Sequence, residues 1–157
     1  MNNSLFQVVG IELAMSTINI SHIDQHCNLL LEKKIIHSSP MLPGLVSIKL
    51  CEYIQSVDDI NGEVKSVGIC LQGKLGEGNR SIKECKYLPG WNDVPLVDWL
   101  ELRLGLKVIL AHSSEYMHFI GNKNKNIFNQ SDKFLSYASF SVGRLALETF
   151  LRCNEPF

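Results

Sequence analysis

The residues of this chain that could carry chemistry stand at the ends of apolar runs. Glu12 closes the run Val8-Val9-Gly10-Ile11. A carboxylate there could act near a metal, although an acidic residue that merely ends a strand is the simpler reading. His112, Ser113 and Glu115 follow a second run at 107–110. Activation of a hydroxyl as a nucleophile requires a base, commonly a carboxylate, within hydrogen-bond reach of the attacking oxygen. A serine hydroxyl is a very weak base at neutral pH, so Ser113 cannot take that role alone. Glu115 is a carboxylate, but two positions further round a helical turn it points elsewhere. Gly73-x-x-Gly76-x-Gly78 has the glycines of a phosphate cradle without the lysine–serine pair or a following helix, and reads as a flexible turn. Cys27, Cys51, Cys70, Cys85 and Cys153 contain no Cys-x-x-Cys, and the histidines are equally scattered. Neither a zinc site nor a disulfide framework is supported. Reduced thiols are expected, with Cys51 and Cys70 buried in apolar runs.

One α/β domain is expected to position these groups. The 157 residues are 45% hydrophobic and 20% charged with a formal net charge of −1, enough to bury a core. Near-zero charge leaves no electrostatic footprint for nucleic acid or an anionic membrane. No apolar run is long enough to span a bilayer, and MNNSLFQVV has no basic leader, so a cytoplasmic location is the expectation. Residues 5–13, 17–23 and 29–38 read as three successive strands, the second and third joined by a turn at 24–28. A helix follows with Pro43 in its first turn and Leu45, Ile48, Tyr53, Ile54 and Val57 as its apolar stripe. Residues 64–71 form a buried strand. Asp93 is expected to cap a helix with Pro95 in its first turn, Val97, Leu100 and Leu104 as its buried stripe, and Gly105 as its stop. The last core strand is 107–110. Ser113 is expected to cap another helix with Tyr116, Met117 and Ile120 on its apolar face, and polar residues 121–132 read as a linker. Residues 140–150 read as a plain strand.

Leu88-Pro89-Gly90-Trp91-Asn92-Asp93-Val94-Pro95-Leu96, followed by Leu104-Gly105-Leu106-Lys107-Val108, resembles the middle of the N-terminal lobe of ROK (repressor, ORF, kinase) proteins. The resemblance implies a ribonuclease H-like, actin-like ATPase lobe: a mixed five-stranded sheet with an antiparallel opening meander and flanking helices. In the family this strand delivers Glu-Asn-Asp-Ala-Asn to the sugar. Here Ala111 and His112 replace the Glu-Asn, Ser113 occupies the catalytic aspartate position, and Glu115 replaces the second asparagine. Residues 8–17 resemble the first strand and turn, Gly-Ile-Asp-x-Gly-Gly-Thr, with Glu12 for the aspartate and Ala14 and Met15 for the phosphate-loop glycines. Such glycines admit close approach of backbone to phosphate, which a methionine would obstruct. Residues 140–147 resemble the second phosphate segment, of whose glycines only Gly143 remains. Tyr87 stands where an asparagine contacts the sugar, and could stack on a sugar ring or pack on Trp91.

The three damaged motifs together imply a catalytically inactive ROK-like domain with no cofactor and no metal. Its expected role is sugar sensing, regulation akin to the family's transcriptional regulators, or interaction, with Tyr87, His112, Ser113 and Glu115 lining the old sugar pocket. The alternatives are a sugar-kinase half that works with a second lobe from another chain, using Glu12 and Glu115, and a pure dimerisation scaffold. The resemblance spans one lobe, 1–150, with 151–157 a tail where a second lobe would begin. A sugar or sugar derivative, and either a second copy or a second-lobe chain, are the expected partners. No helix-turn-helix precedes Leu5, so direct nucleic-acid binding by this chain is not expected.

Overall fold

The computed structural model describes residues 5–36, 41–113 and 137–153. Three strands open the chain: β1 (Phe6–Leu13), β2 (Thr17–Asp24) and β3 (Leu29–Ile36). Helix α1 (Pro43–Val57) leads to β4 (Glu63–Leu71), and β5 (Lys74–Leu75) and β6 (Ile82–Glu84) form a small hairpin around a 3-10 turn at Glu77–Asn79. Helix α2 (Leu96–Leu104), strand β7 (Lys107–His112) and helix α3 (Tyr137–Cys153) complete the described chain. The main sheet has the order β3-β2-β1-β4-β7. Its first three strands are the antiparallel meander, whereas β1, β4 and β7 run parallel. The expected mixed five-stranded sheet is therefore present.

Side-chain alternation divides the sheet into two packed faces. Val9, Ile11 and Leu13 of β1 join Ile18 and Ile20 of β2 and Val67, Ile69 and Leu71 of β4 beneath α1 and α2. Trp91 is fully buried in this layer and its indole N–H donates to the Met41 carbonyl, so the Leu88-Pro89-Gly90-Trp91 segment is anchored by its last residue. On the opposite face α3 covers β1, β2 and β4. There Val8 and Ile23 meet Phe140 and Leu147, and Cys70 and Ala111 meet Ala138 and Val142.

Four expectations need correction. Residues 140–150 are helical rather than a strand, and belong to α3. Six of its eight buried residues fall on two stripes four apart, Ala138-Val142-Ala146 and Ser139-Gly143-Leu147, the spacing of a helix face, and Phe140 and Ser141 are the other two. The stripe of α1 is Val46, Leu50 and Ile54 with Ser47 and Cys51, leaving Leu45 and Ile48 largely exposed. An apolar residue on nearly every side of that helix hides which side the core selects. Asp93 does not cap α2; it sits at φ 55° in a turn, and Pro95 precedes the helix without a side-chain cap. Val94 exchanges both backbone hydrogen bonds with Ile82, and the Arg80 carbonyl takes the Val97 N–H that a cap would have served. Residues 73–79, expected as a plain flexible loop, include β5 and the 3-10 turn. Gly105 does end α2, at φ 67° with its N–H on the Glu101 carbonyl.

Candidate functional site

Parallel strands of α/β sheets carry their ligands beyond the strands' carboxyl ends. Here the register aligns Glu12 with Cys70 and Cys70 with Ala111, so the three strand ends lie side by side. Beyond them is a cavity of about 260 Å³ lined by Glu12, Leu13, Ala14, Met15, Gln72, Cys85, Tyr87, Leu88 and Ser113. A more open cleft of about 510 Å³ adjoins it, sharing Gln72 and Tyr87 and adding Gly73, Lys74, Glu84, Lys86 and His112.

Each wall has a local cause. Glu12 emerges at the end of β1, where Asn19 Nδ2 donates to its carboxylate at 3.0 Å. Ala14 N–H donates to Thr17 O at 2.9 Å, which closes the β1–β2 hairpin and leaves Met15 67% exposed at its tip. Tyr87 precedes the buried Trp91 anchor and is 53% exposed at the rim; it is not stacked on Trp91. Cys85 Sγ lies 3.3 Å from the Gln72 carbonyl, tying the hairpin to the cavity wall. Behind the cavity, burial and then the Glu12 charge push the Cys70 thiol well above its ordinary range, so it stays protonated. Ser113 follows β7 directly and is 1% exposed. Its Oγ is a buried polar atom with no hydrogen-bond partner among the described residues.

The structure thus brings Glu12, Ala14, Met15, Tyr87 and Ser113 to one cavity, and Tyr87 and His112 to the cleft beside it. Gly143 is elsewhere: it lies inside α3 against Gly10 and does not line either cavity. Arg144, on the same helix, pairs with Glu148 at 3.1 Å. Glu115, the capping role expected of Ser113 and the linker at 121–132 fall on or involve residues outside those described. Sequence reasoning passed over Gln72, Lys74, Cys85 and Lys86 as lining residues. The position of Gln72 just beyond β4 was the one available signal. No cluster of His, Cys, Asp or Glu among the described residues could hold a metal ion.

Chemically, the inner cavity offers hydrogen bonding and apolar contact. Its only charged lining residue among those described is Glu12, which repels phosphate, and Met15 occupies the hairpin tip. Neither Ser113 nor Ala111 can accept the proton of an attacking hydroxyl.

The sheet order and flanking helices match the fold of one lobe of the actin-like ATPases. More narrowly, the chain has the N-terminal-lobe fold of ROK sugar kinases. No family model matches the chain. Over 110 residues it is 26% identical to a glucokinase of Thermotoga maritima, covering 69% of this chain and 34% of that protein. Its fold superposes with a TM-score of 0.61 on a ROK family glucokinase from Streptomyces griseus in complex with glucose and AMPPNP (19% identity, 71% of this chain, 35% of that one). A ROK hexokinase from Thermus thermophilus gives 0.61 at 21% identity, over 71% and 36% of the two chains. A ROK family transcriptional regulator, a homologue of the E. coli MLC protein, gives 0.60 at 17% identity, over 72% and 29%. The chain spans about a third of the length of the curated relative it matches. No described helix is long and apolar enough to cross a membrane.

Proposed function

We propose that this lobe is a non-catalytic, ROK-like sensing domain that binds a sugar or sugar derivative at the strand-end cavity and acts through a protein partner. The observation that carries this reading is Ser113. At the tip of β7 a carboxylate would be needed for phosphoryl transfer, yet the residue is a hydroxyl whose Oγ is buried and unpartnered beside the cavity. A buried hydroxyl without a partner costs about 1–3 kcal/mol of desolvation, which a ligand hydroxyl would recover. Ala14 and Met15 support the same reading, because they close the backbone approach that a nucleotide phosphate needs. Relatives that include both sugar kinases and a transcriptional regulator are consistent with a lobe put to a non-catalytic use.

A thermal-shift series with glucose, N-acetylated amino sugars, sugar phosphates and ATP–Mg tests this, since a ligand that binds only the native state raises Tm by mass action. A shift with a sugar and none with ATP–Mg is expected. A shift with ATP–Mg, or phosphate transfer to a sugar, would sink the non-catalytic reading. No shift with any sugar would sink the sensing one.

A further inference from the structure

Strand β3 lies at one edge of the main sheet, and among the described residues no strand pairs with its outer side. Such an edge presents backbone donors and acceptors that another strand can complete, and proteins commonly blunt it with charge, bulges or shortness. Here the strand is eight residues long and reads LLLEKKII. Leu31 is 47% exposed and Ile36 73%, so exposed apolar side chains stand on either side of the charged centre Glu32-Lys33-Lys34. A bulge lies between His22 and Ile23 of β2, opposite Leu31 and Leu29, which leaves 31–36 as the regular ladder.

That ladder is self-complementary. Two antiparallel copies related by a twofold axis perpendicular to the sheet must pair residues of equal parity, because facing side chains share a face. Centring the axis on Lys33 sets Leu31 opposite Ile35 and Glu32 opposite Lys34, each pair formed twice. Centring it on Glu32 sets that carboxylate against itself and Leu31 against Lys33. Centring it on Lys34 sets two lysines together and Lys33 against Ile35. Of these three registers, charge and apolar matching favour the one centred on Lys33. The like pair it leaves, Lys33 with its copy, is relieved from within the chain: Lys33 Nζ lies 5.6 Å from the Tyr53 ring centroid. Tyr53 stands on α1 with its hydroxyl 2.6 Å from His22 of the inner strand β2, so the ammonium leans away from the edge. Ile35 already packs on the main core, and the Leu31–Ile35 pair would extend that core across the contact.

We propose that β3 is the surface through which two copies of this chain associate, antiparallel and in the register centred on Lys33. The two sheets would then form one continuous sheet. The occupant is a second copy because the opposed Glu–Lys pairs are supplied by the strand's own sequence, and such cross-strand pairs favour one register over its neighbours.

Sedimentation velocity from roughly 1 to 300 µM is expected to show a concentration-dependent dimer. Glu32→Lys or Lys34→Glu alone places like charges opposite each other twice and should weaken association about tenfold. The double variant Glu32→Lys/Lys34→Glu restores both pairs with their signs exchanged and should recover the dimer. Lys34→Gln, which removes charge without adding repulsion, should fall between wild type and the single reversals. Circular dichroism confirms that each variant is folded. A monomer at every concentration, a dimer indifferent to both reversals, or a double variant that fails to recover would each overturn the proposal.

Discussion

Gly10 of β1 and Gly143 of α3 meet backbone to backbone: a Cβ built on Gly10 would fall 2.6 Å from Gly143 N and 1.9 Å from Ser139 O. Gly68 of β4 makes the same kind of approach, its Cβ position lying 2.3 Å from Val142 O. Ser21 of β2 and Ser139 of α3 bring their hydroxyls within 2.7 Å alongside, a hydrogen bond that short helix-to-sheet distances allow. Gly10→Ala forces backbone against backbone and is expected to cost about 3 kcal/mol or more. Gly143→Ala should cost far less. Its Cβ falls 2.6 Å from the movable Ile23 Cδ1 and 3.2 Å from Gly10 N and Cα, tight but short of the overlap at Gly10, and alanine regains about 1 kcal/mol of helix propensity. Urea unfolding of the two variants checks the ranking; equal losses would refute it.

This same contact explains what the sequence concealed. In residues 140–147, Phe140, Val142 and the small polar residues between them alternate like a strand. The helix is favoured because Gly10 and Gly68, more than seventy residues away, leave room for its small-residue face. Asp93 misled for a similar reason: the local cap signal is sound, but the distant Ile82 captures Val94 and shifts the helix start. The three opening strands, the buried strands at 64–71 and 107–110 and the Gly105 stop were legible because their signals are local apolar runs and a single left-handed residue, whereas the mixed sheet they form came from the family resemblance. Glu12, Tyr87 and Ser113 were legible because they flank strand ends or the tryptophan anchor. Lys74 and Lys86 were not, since only the folding of the β5–β6 hairpin carries them to the cleft.

His22 should make stability fall with acid. The ring is buried, with Nδ1 2.8 Å from Gln7 Oε1 and Nε2 2.6 Å from the Tyr53 hydroxyl. Gln7 Nε2 donates to the Val57 and Gly62 carbonyls, so its Oε1 must accept from His22 Nδ1–H and the tyrosine must donate to Nε2. Desolvation, then the nearby Lys33 charge, lowers the pKa from 6.5 to about 4. Between those values the unfolded chain binds more protons than the folded one, so stability drops as pH falls through that window. The contribution is fully present above pH 6.5, and up to roughly 3 kcal/mol is lost below about pH 4. Denaturant titrations across this range should show the slope, and His22→Leu should flatten it. An unchanged slope in that variant would count against the neutral ring.

The cysteines should separate by burial. Cys153 is exposed and Cys27 half-buried, whereas Cys51, Cys70 and Cys85 are buried. Burial raises the Cys27 thiol above its ordinary range and raises Cys70 much further. Native-state labelling with a thiol reagent is expected to modify Cys153 first and Cys27 more slowly, with Cys70 reacting only on unfolding. Fast modification of Cys70 would contradict the packing of α3 over β4.

Ser113 offers the sharpest separation of structure from function. If the unpartnered Oγ is held only by packing, removing it relieves an unsatisfied buried hydroxyl, so Ser113→Ala should be neutral or stabilising by about 1 kcal/mol. A residue kept for stability would behave oppositely. The sensing role predicts that the same variant loses most of any sugar-induced rise in Tm, because the ligand hydroxyl then meets a methyl group. Parallel melting curves of wild type and Ser113→Ala, with and without the best sugar, read both quantities at once. Destabilisation by 2 kcal/mol or more would assign Ser113 to the fold. An undiminished sugar shift would remove it from the site.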